Sequence, residues 1–302
     1  MKNRKIKAFT LIELLTVIAV LAILLGLLIP SMNMARNAAK VAKQRVQLAS
    51  IDQALLAFRN DYGDYPPSTL DTDTTSGFSY CGAFKLAEAL FGWDLFGFHP
   101  KSAWKADGTD NAAIPQLIYD FGNLNNTYNA TPRKSRYLEL ETANAFHIGK
   151  ANPTFDGLFA DVGTMNPKNY VLCDSFGRKT ISVGTTRVTA GMPILYFKAD
   201  PSKMKFSFGG MPGSNIYEIN DNYEIIIAKA IEDGQLDTSN PNPLSWSGGK
   251  LFYDSSYKII DQKIWMNGTG KAWPHRPDSY ILISAGLDGL YGTSDDITNF
   301  GE

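Results

Sequence analysis

The sequence predicts an α+β fold: a long amino-terminal helix, membrane-spanning in its first part and amphipathic in its second, packed on a small antiparallel sheet with loop insertions. Three observations predict it. An apolar run extends from Phe9 to Ile29, an apolar stripe at helical spacing follows, and short strand-like segments occupy the remainder. The length of 302 residues allows two domains or one large one. With 44% hydrophobic and 20% charged residues the composition is that of a globular chain, which excludes collagen-like and wholly disordered classes. A net charge of −1 lacks the basic excess that drives backbone binding to nucleic acid, so no nucleic-acid partner is expected.

The first element is set by charge and hydropathy together. Lys2, Arg4, Lys5 and Lys7 form a basic leader without an acid, and behind them Phe9–Ile29 carries a single charge, Glu13. At about 1.5 Å per residue the run makes about 31 Å of helix, which matches a hydrocarbon core of about 30 Å. The following residues, from Pro30 to Ala35, offer no convincing signal-cleavage site, so the run reads as a retained anchor. Counting positive charges does not orient it, since Arg36, Lys40, Lys43 and Arg45 balance the leader. Glu13 needs an explanation. A carboxylate at the centre of a membrane helix costs on the order of 2.5–3.5 kcal/mol, so it either reaches the headgroups or has a partner.

Leu48, Ile51, Leu55, Phe58 and Tyr62 recur every three to four residues and mark one buried helical face. With no loop between run and stripe, one continuous helix is expected, ending at Gly63 before Pro66-Pro67. The organisation is therefore 1–8 leader, 9–30 transmembrane helix, 31–63 amphipathic continuation, and 64–302 a soluble head exposed across the membrane. Within the head, insertions are expected around 66–165 and an Asp/Gly loop at 284–297. Residues 85–95 read as a short helix with Leu86, Leu90 and Trp93 on one face. Segments 137–148 and 170–173 read as short elements, and 194–198, 222–231 and 279–284 as mostly strand-like. Between 66 and 165 turn residues are dense and periodicity is poor, as in long surface loops.

Candidate chemistry is sparse. His99, His147 and His275 lie in no metal-binding spacing, and no Walker loop, G-x-S-x-G or G-x-G-x-x-G occurs. No enzyme is expected. Cys81 and Cys173 stand far apart in sequence, and spacing leaves their pairing open. Asp288, Asp295 and Asp296 share a loop with Gly286, Gly289 and Gly292; such a loop suits either a hard cation such as Ca²⁺ or a solvated acidic turn.

Several motifs carry a family resemblance. Lys7-Ala-Phe-Thr-Leu-Ile-Glu13, behind a basic leader and ahead of an unbroken apolar helix, resembles the signal of type IV pilins and type II secretion pseudopilins. The resemblance implies cleavage by a prepilin peptidase between Ala8 and Phe9, N-methylation of Phe9, and pairing of Glu13 with the amino terminus of a neighbouring subunit. It places a helix-loosening proline at Pro30. Ala8 stands where these leaders usually end in Gly. Phe58-Arg-Asn-Asp-Tyr-Gly-Asp-Tyr65-Pro66 resembles the helix-to-loop junction of major pseudopilins, and Asp174-Ser-Phe-Gly177 their Asp-Pro-Trp-Gly turn, with Ser175 and Phe176 replacing Pro and Trp. Their calcium loop corresponds to Asp288, Asp295 and Asp296, implying a structural Ca²⁺. The implied partners are other pseudopilins, the peptidase and the inner-membrane assembly platform, with the head in the periplasm. A type IV pilus or competence pilin, and a membrane-anchored binding protein or hydrolase that never polymerises, are the alternatives.

Overall fold

The computed structural model describes residues 11–73, 76–120, 122–123, 125–151, 156–209, 213–232, 242–254, 256–261 and 273–300. Helix α1 spans Leu11–Tyr62, the single long helix that the apolar run and the stripe predict. Gly63 ends it, with a φ of +86° and its amide on the Arg59 carbonyl at 2.7 Å, a left-handed turn that favours glycine. The chain divides into two compact units, one up to Ala42 and one from Lys43 to Glu302. In the first, the described residues are the amino-terminal part of α1.

The second unit holds the α+β body. Strands β1 (Asp71–Thr72) and β2 (Ser79–Tyr80) form a small hairpin ahead of helix α2 (Gly82–Phe91). A one-turn helix α3 (Leu140–Ala143) precedes β3 (Ala145–His147), which pairs antiparallel with β4 (Tyr170–Leu172). Hairpin β5 (Lys179–Val183) and β6 (Thr186–Ala190) turns at Gly184, whose φ is +63°. Strand β7 (Leu195–Lys198), helix α4 (Tyr223–Glu232), β8 (Tyr280–Ser284) and β9 (Ile297–Thr298) complete the order. The principal sheet runs β7-β8-β9, antiparallel throughout, with Leu195 opposite Ile283 and Ser284 opposite Ile297.

Every residue of β8 is buried, which explains why Tyr280-Ile-Leu-Ile-Ser284 reads as an unbroken apolar run rather than an alternating one. Leu195, Phe197, Ile281 and Ile283 face the main core. On the opposite face the Tyr280 hydroxyl donates to Asp52 of α1 at 2.7 Å, and Asn299 Nδ2 donates to the same oxygen at 2.8 Å. The sheet thus lies against the helix, as expected, and Leu48, Ile51, Leu55 and Phe58 of the stripe are buried.

Two expectations change. Residues 222–231 are helix, not strand: Ile225, Ile226 and Ala228 are buried on one helical face, so tertiary burial overrides the β preference of an Ile-Ile-Ile run. Helix α2 is buried on all sides rather than one. Its first residue, Gly82, admits no side chain, because a Cβ there would sit 2.3 Å from the Tyr196 carbonyl. Asn222 locks the same corner. Its Oδ1 accepts the Ala83 amide at 2.8 Å and its Nδ2 donates to the Tyr196 carbonyl at 2.6 Å, joining α2, β7 and the start of α4.

The inserted region is also more than surface loop. Phe98, His99, Ala106, Ile118 and Tyr119 are buried. Phe98, Trp104 and Tyr137 pack with Phe58 and Tyr62 at the end of α1, and Lys134 and Tyr137 both donate to Asp61, at 2.8 and 2.6 Å. Its centre is Glu88 of α2. Its Oε2 accepts the Tyr80 hydroxyl at 2.7 Å, and its Oε1 accepts the Tyr119 hydroxyl at 2.6 Å and the Ser102 hydroxyl.

Candidate functional site

The amino-terminal part of α1 presents apolar side chains with no protein around them. Leu11 is 81% exposed and Ile23 65%, and the helix is long and apolar enough to cross a membrane, with none of that stretch buried. A soluble monomer rarely exposes a contiguous apolar surface of this extent, so the segment requires an apolar medium or partner. The energetics agree. The aliphatic residues from Leu11 to Ile29 favour insertion by roughly 4–8 kcal/mol in sum, against about 3 kcal/mol for one carboxylate. Glu13 therefore does not prevent insertion. It lies in the first turn of α1, exposed, and its carbonyl accepts the Thr16 hydroxyl at 2.9 Å. The backbone of α1 remains helical through Pro30. Ala8 and Phe9 lie outside the described residues.

The carboxyl-terminal loop follows β8 and returns to β9. Gly286, Gly289 and Gly292 all have positive φ, so the glycines the sequence singles out are required by the turns. The carboxylates, however, are engaged by donors of the protein itself. Asp295 Oδ1 accepts the Thr293 hydroxyl at 2.5 Å and Oδ2 the Asp288 amide at 2.9 Å. Its carboxylate lies so close over Gly286 that a Cβ there would be 2.6 Å from Oδ2. Asp288 is exposed, and its Oδ1 accepts the Leu290 amide at 2.8 Å. Asp296 is only 2% exposed; its Oδ2 accepts the Tyr257 hydroxyl at 2.7 Å and the Gly292 amide at 2.8 Å, and burial pushes its carboxyl up to about 7.

One feature of this set suits a cation, the buried Asp296 Oδ1, which has no hydrogen-bond partner among the described residues. The rest does not. Among the described residues no group of three or more His, Cys, Asp or Glu side chains is placed to hold a metal ion. Asp295 meets both the amide and the side chain of Asp288, while the bonded oxygen of Asp296 faces Tyr257 and Gly292.

Cys81, at the amino-terminal cap of α2, and Cys173, just after β4, are both buried free thiols. Burial pushes Cys81 up to about 12, which leaves it protonated and unreactive at neutral pH. Asp174, read from sequence as a turn residue, does more than cap its turn. Its Oδ1 accepts the amides of Phe176 and Met192, each at 3.2 Å, and its Oδ2 accepts the Ser284 hydroxyl at 3.2 Å. It therefore ties the turn to β8 from a buried position, and burial raises it to about 6. The sequence also gives no hint of Glu88, because the three hydroxyls that meet it come from residues far apart in the chain.

A family model described as the prokaryotic N-terminal methylation motif matches residues 3–29. No curated protein and no solved structure matches the chain.

Proposed function

We propose that the chain is a non-enzymatic structural subunit of a pseudopilus of the type II secretion kind, helping protein export across the outer membrane. It is held in the inner membrane by α1 until assembly. The observation that carries the reading is the coincidence of the methylation motif over residues 3–29 with an amino-terminal apolar stretch of α1 that is wholly uncovered. That motif, in a chain with an α+β body behind one long apolar helix, supports a type IV pilin-like protein. Prepilin peptidase cuts between Ala8 and Phe9 in this reading, and the new amino group of Phe9 is methylated.

Assembly removes the exposed apolar helix from lipid into a bundle of like helices, where burial of aliphatic surface is retained. Glu13 there faces the positive amino terminus of a neighbour, which supplies the counter-charge that a carboxylate in a low-dielectric surrounding requires. The junction Phe58–Pro66 supports a secretion pseudopilus rather than an adhesive or DNA-uptake pilus. Mass spectrometry of the protein purified from its native host tests the reading. The expected product begins at a methylated Phe9; a chain beginning at Met1, or near Arg36, overturns it.

A further inference from the structure

Beyond the spanning segment the charge of α1 is one-sided. From Leu14 to Ile51 there is no Asp or Glu, while Arg36, Lys40 and Lys43 follow one another at helical spacing. Arg36 and Lys40 are exposed, and no side-chain hydrogen bond or ion pair joins either to another described residue. At i and i+4 the two charges stand on one face and repel each other. Neither has an acid three or four residues away in either direction: Asn33, Ala39, Met32, Asn37 and Gln44 occupy the other positions. A helix cannot neutralise such a pair internally, so the face calls for an external anion.

The position of the pair identifies the anion. At about 1.5 Å per residue, Arg36 stands about 10 Å past Ile29 and Lys40 about 16 Å past it, and long basic side chains reach back toward an interface. Electrostatic attraction to an anionic bilayer falls off within a Debye length of about 8–10 Å. Both charges therefore reach the headgroup zone, Arg36 fully and Lys40 through its side chain. In the proposed mature chain the four leader charges are gone, so these are the basic residues next to the bilayer. We propose that Arg36 and Lys40 form a binding site for the phosphate headgroups of anionic phospholipids in the leaflet at the carboxyl-terminal end of the span. The site holds the processed subunit at a fixed depth before assembly. The inference rests on the membrane-spanning reading of α1.

The test uses the full chain, with Lys2, Arg4, Lys5 and Lys7 changed to Gln so that only one leaflet is probed. It is reconstituted in phosphatidylcholine vesicles with trace spin-labelled phosphatidylglycerol or spin-labelled phosphatidylcholine. The expected result is a preference of about threefold or more for the anionic label. Arg36→Gln with Lys40→Gln brings it close to one while the protein still resists alkaline extraction. Inorganic phosphate at millimolar concentration leaves the preference unchanged. Preference retained by the double variant overturns the proposal. Complete competition by phosphate makes this a free-anion site and also overturns it. Unchanged lipid preference with lost self-cross-linking assigns the face to a second copy of the chain instead. If the parent chain is itself extracted by alkali, the spanning reading fails first and the lipid site falls with it.

Discussion

Single side chains in this protein are best separated by what each does when its charge is removed. Glu13 is exposed in the first turn of α1, beside an apolar stretch none of which is buried, so Glu13→Ala should leave membrane retention intact. Under the proposed function it should abolish assembly into filaments, measured by shearing and pelleting. A variant that assembles normally would reduce Glu13 to a bystander. Glu88 is the opposite case, buried and meeting three hydroxyls. Glu88→Ala leaves a cavity and three orphaned donors, and should destabilise the head by about 3 kcal/mol in denaturant unfolding.

Buried acids also set a pH dependence. Burial raises Asp221 to about 7, the Ser68 hydroxyl and Lys85 only partly offsetting it and Glu218 and Asp71 adding to it; Asp174 is raised to about 6. A folded-state value above the unfolded one means the fold prefers the protonated acid. The stability is full below about pH 4 and is lost as pH rises toward 7. Raising the pH from 5 to 8 should lower stability by on the order of 2 kcal/mol through Asp221, Asp296, also raised to about 7, adding to the slope, and Asp221→Asn should remove the Asp221 part of it. The acids held low, such as Asp61 through Lys134 and Tyr137 and Asp200 through Ser202, finish titrating below this window.

Among elements, the carboxyl-terminal loop shows how composition underdetermines geometry. Three carboxylates among glycines suggest calcium; Thr293, Tyr257 and the amides of Asp288, Leu290 and Gly292 meet some of these oxygens, while Asp296 Oδ1 is left without a partner among the described residues. Under the calcium reading the Asp288–Asp295 contact and the unmet Asp296 Oδ1 supply oxygens for the ion, and melting temperatures equal in calcium and in chelator would count against it. A rise of several degrees in calcium, abolished by Asp288→Ala, would show that the loop rearranges around the ion. Helix α4 teaches a related lesson. Its Ile-rich sequence suits a strand as an isolated segment, and only the pocket that receives Ile225 and Ile226 makes it helical. Hairpin β5–β6, by contrast, was open to inference from Thr, Val and Ile residues flanking Gly184, a signal of the usual two-residue turn.

For the molecule as a whole, the boundary at Lys43 predicts separable behaviour. A fragment from Lys43 to Glu302 should be soluble and folded without detergent, by circular dichroism and gel filtration, whereas the full chain should require detergent. The sequence by itself determined the long helix, its apolar run, its stripe, its stop at Gly63 and the strands at Leu195–Lys198 and Tyr280–Ser284. Each of these follows from local hydropathy and backbone preference, which neighbouring residues suffice to express. Only the tertiary structure decided that the inserted region grips Phe58 and Asp61, and that Glu88 and Asp174 are buried junctions. Those outcomes depend on which distant donor reaches which buried oxygen, because desolvation penalises an unmet carboxylate wherever the chain happens to place it.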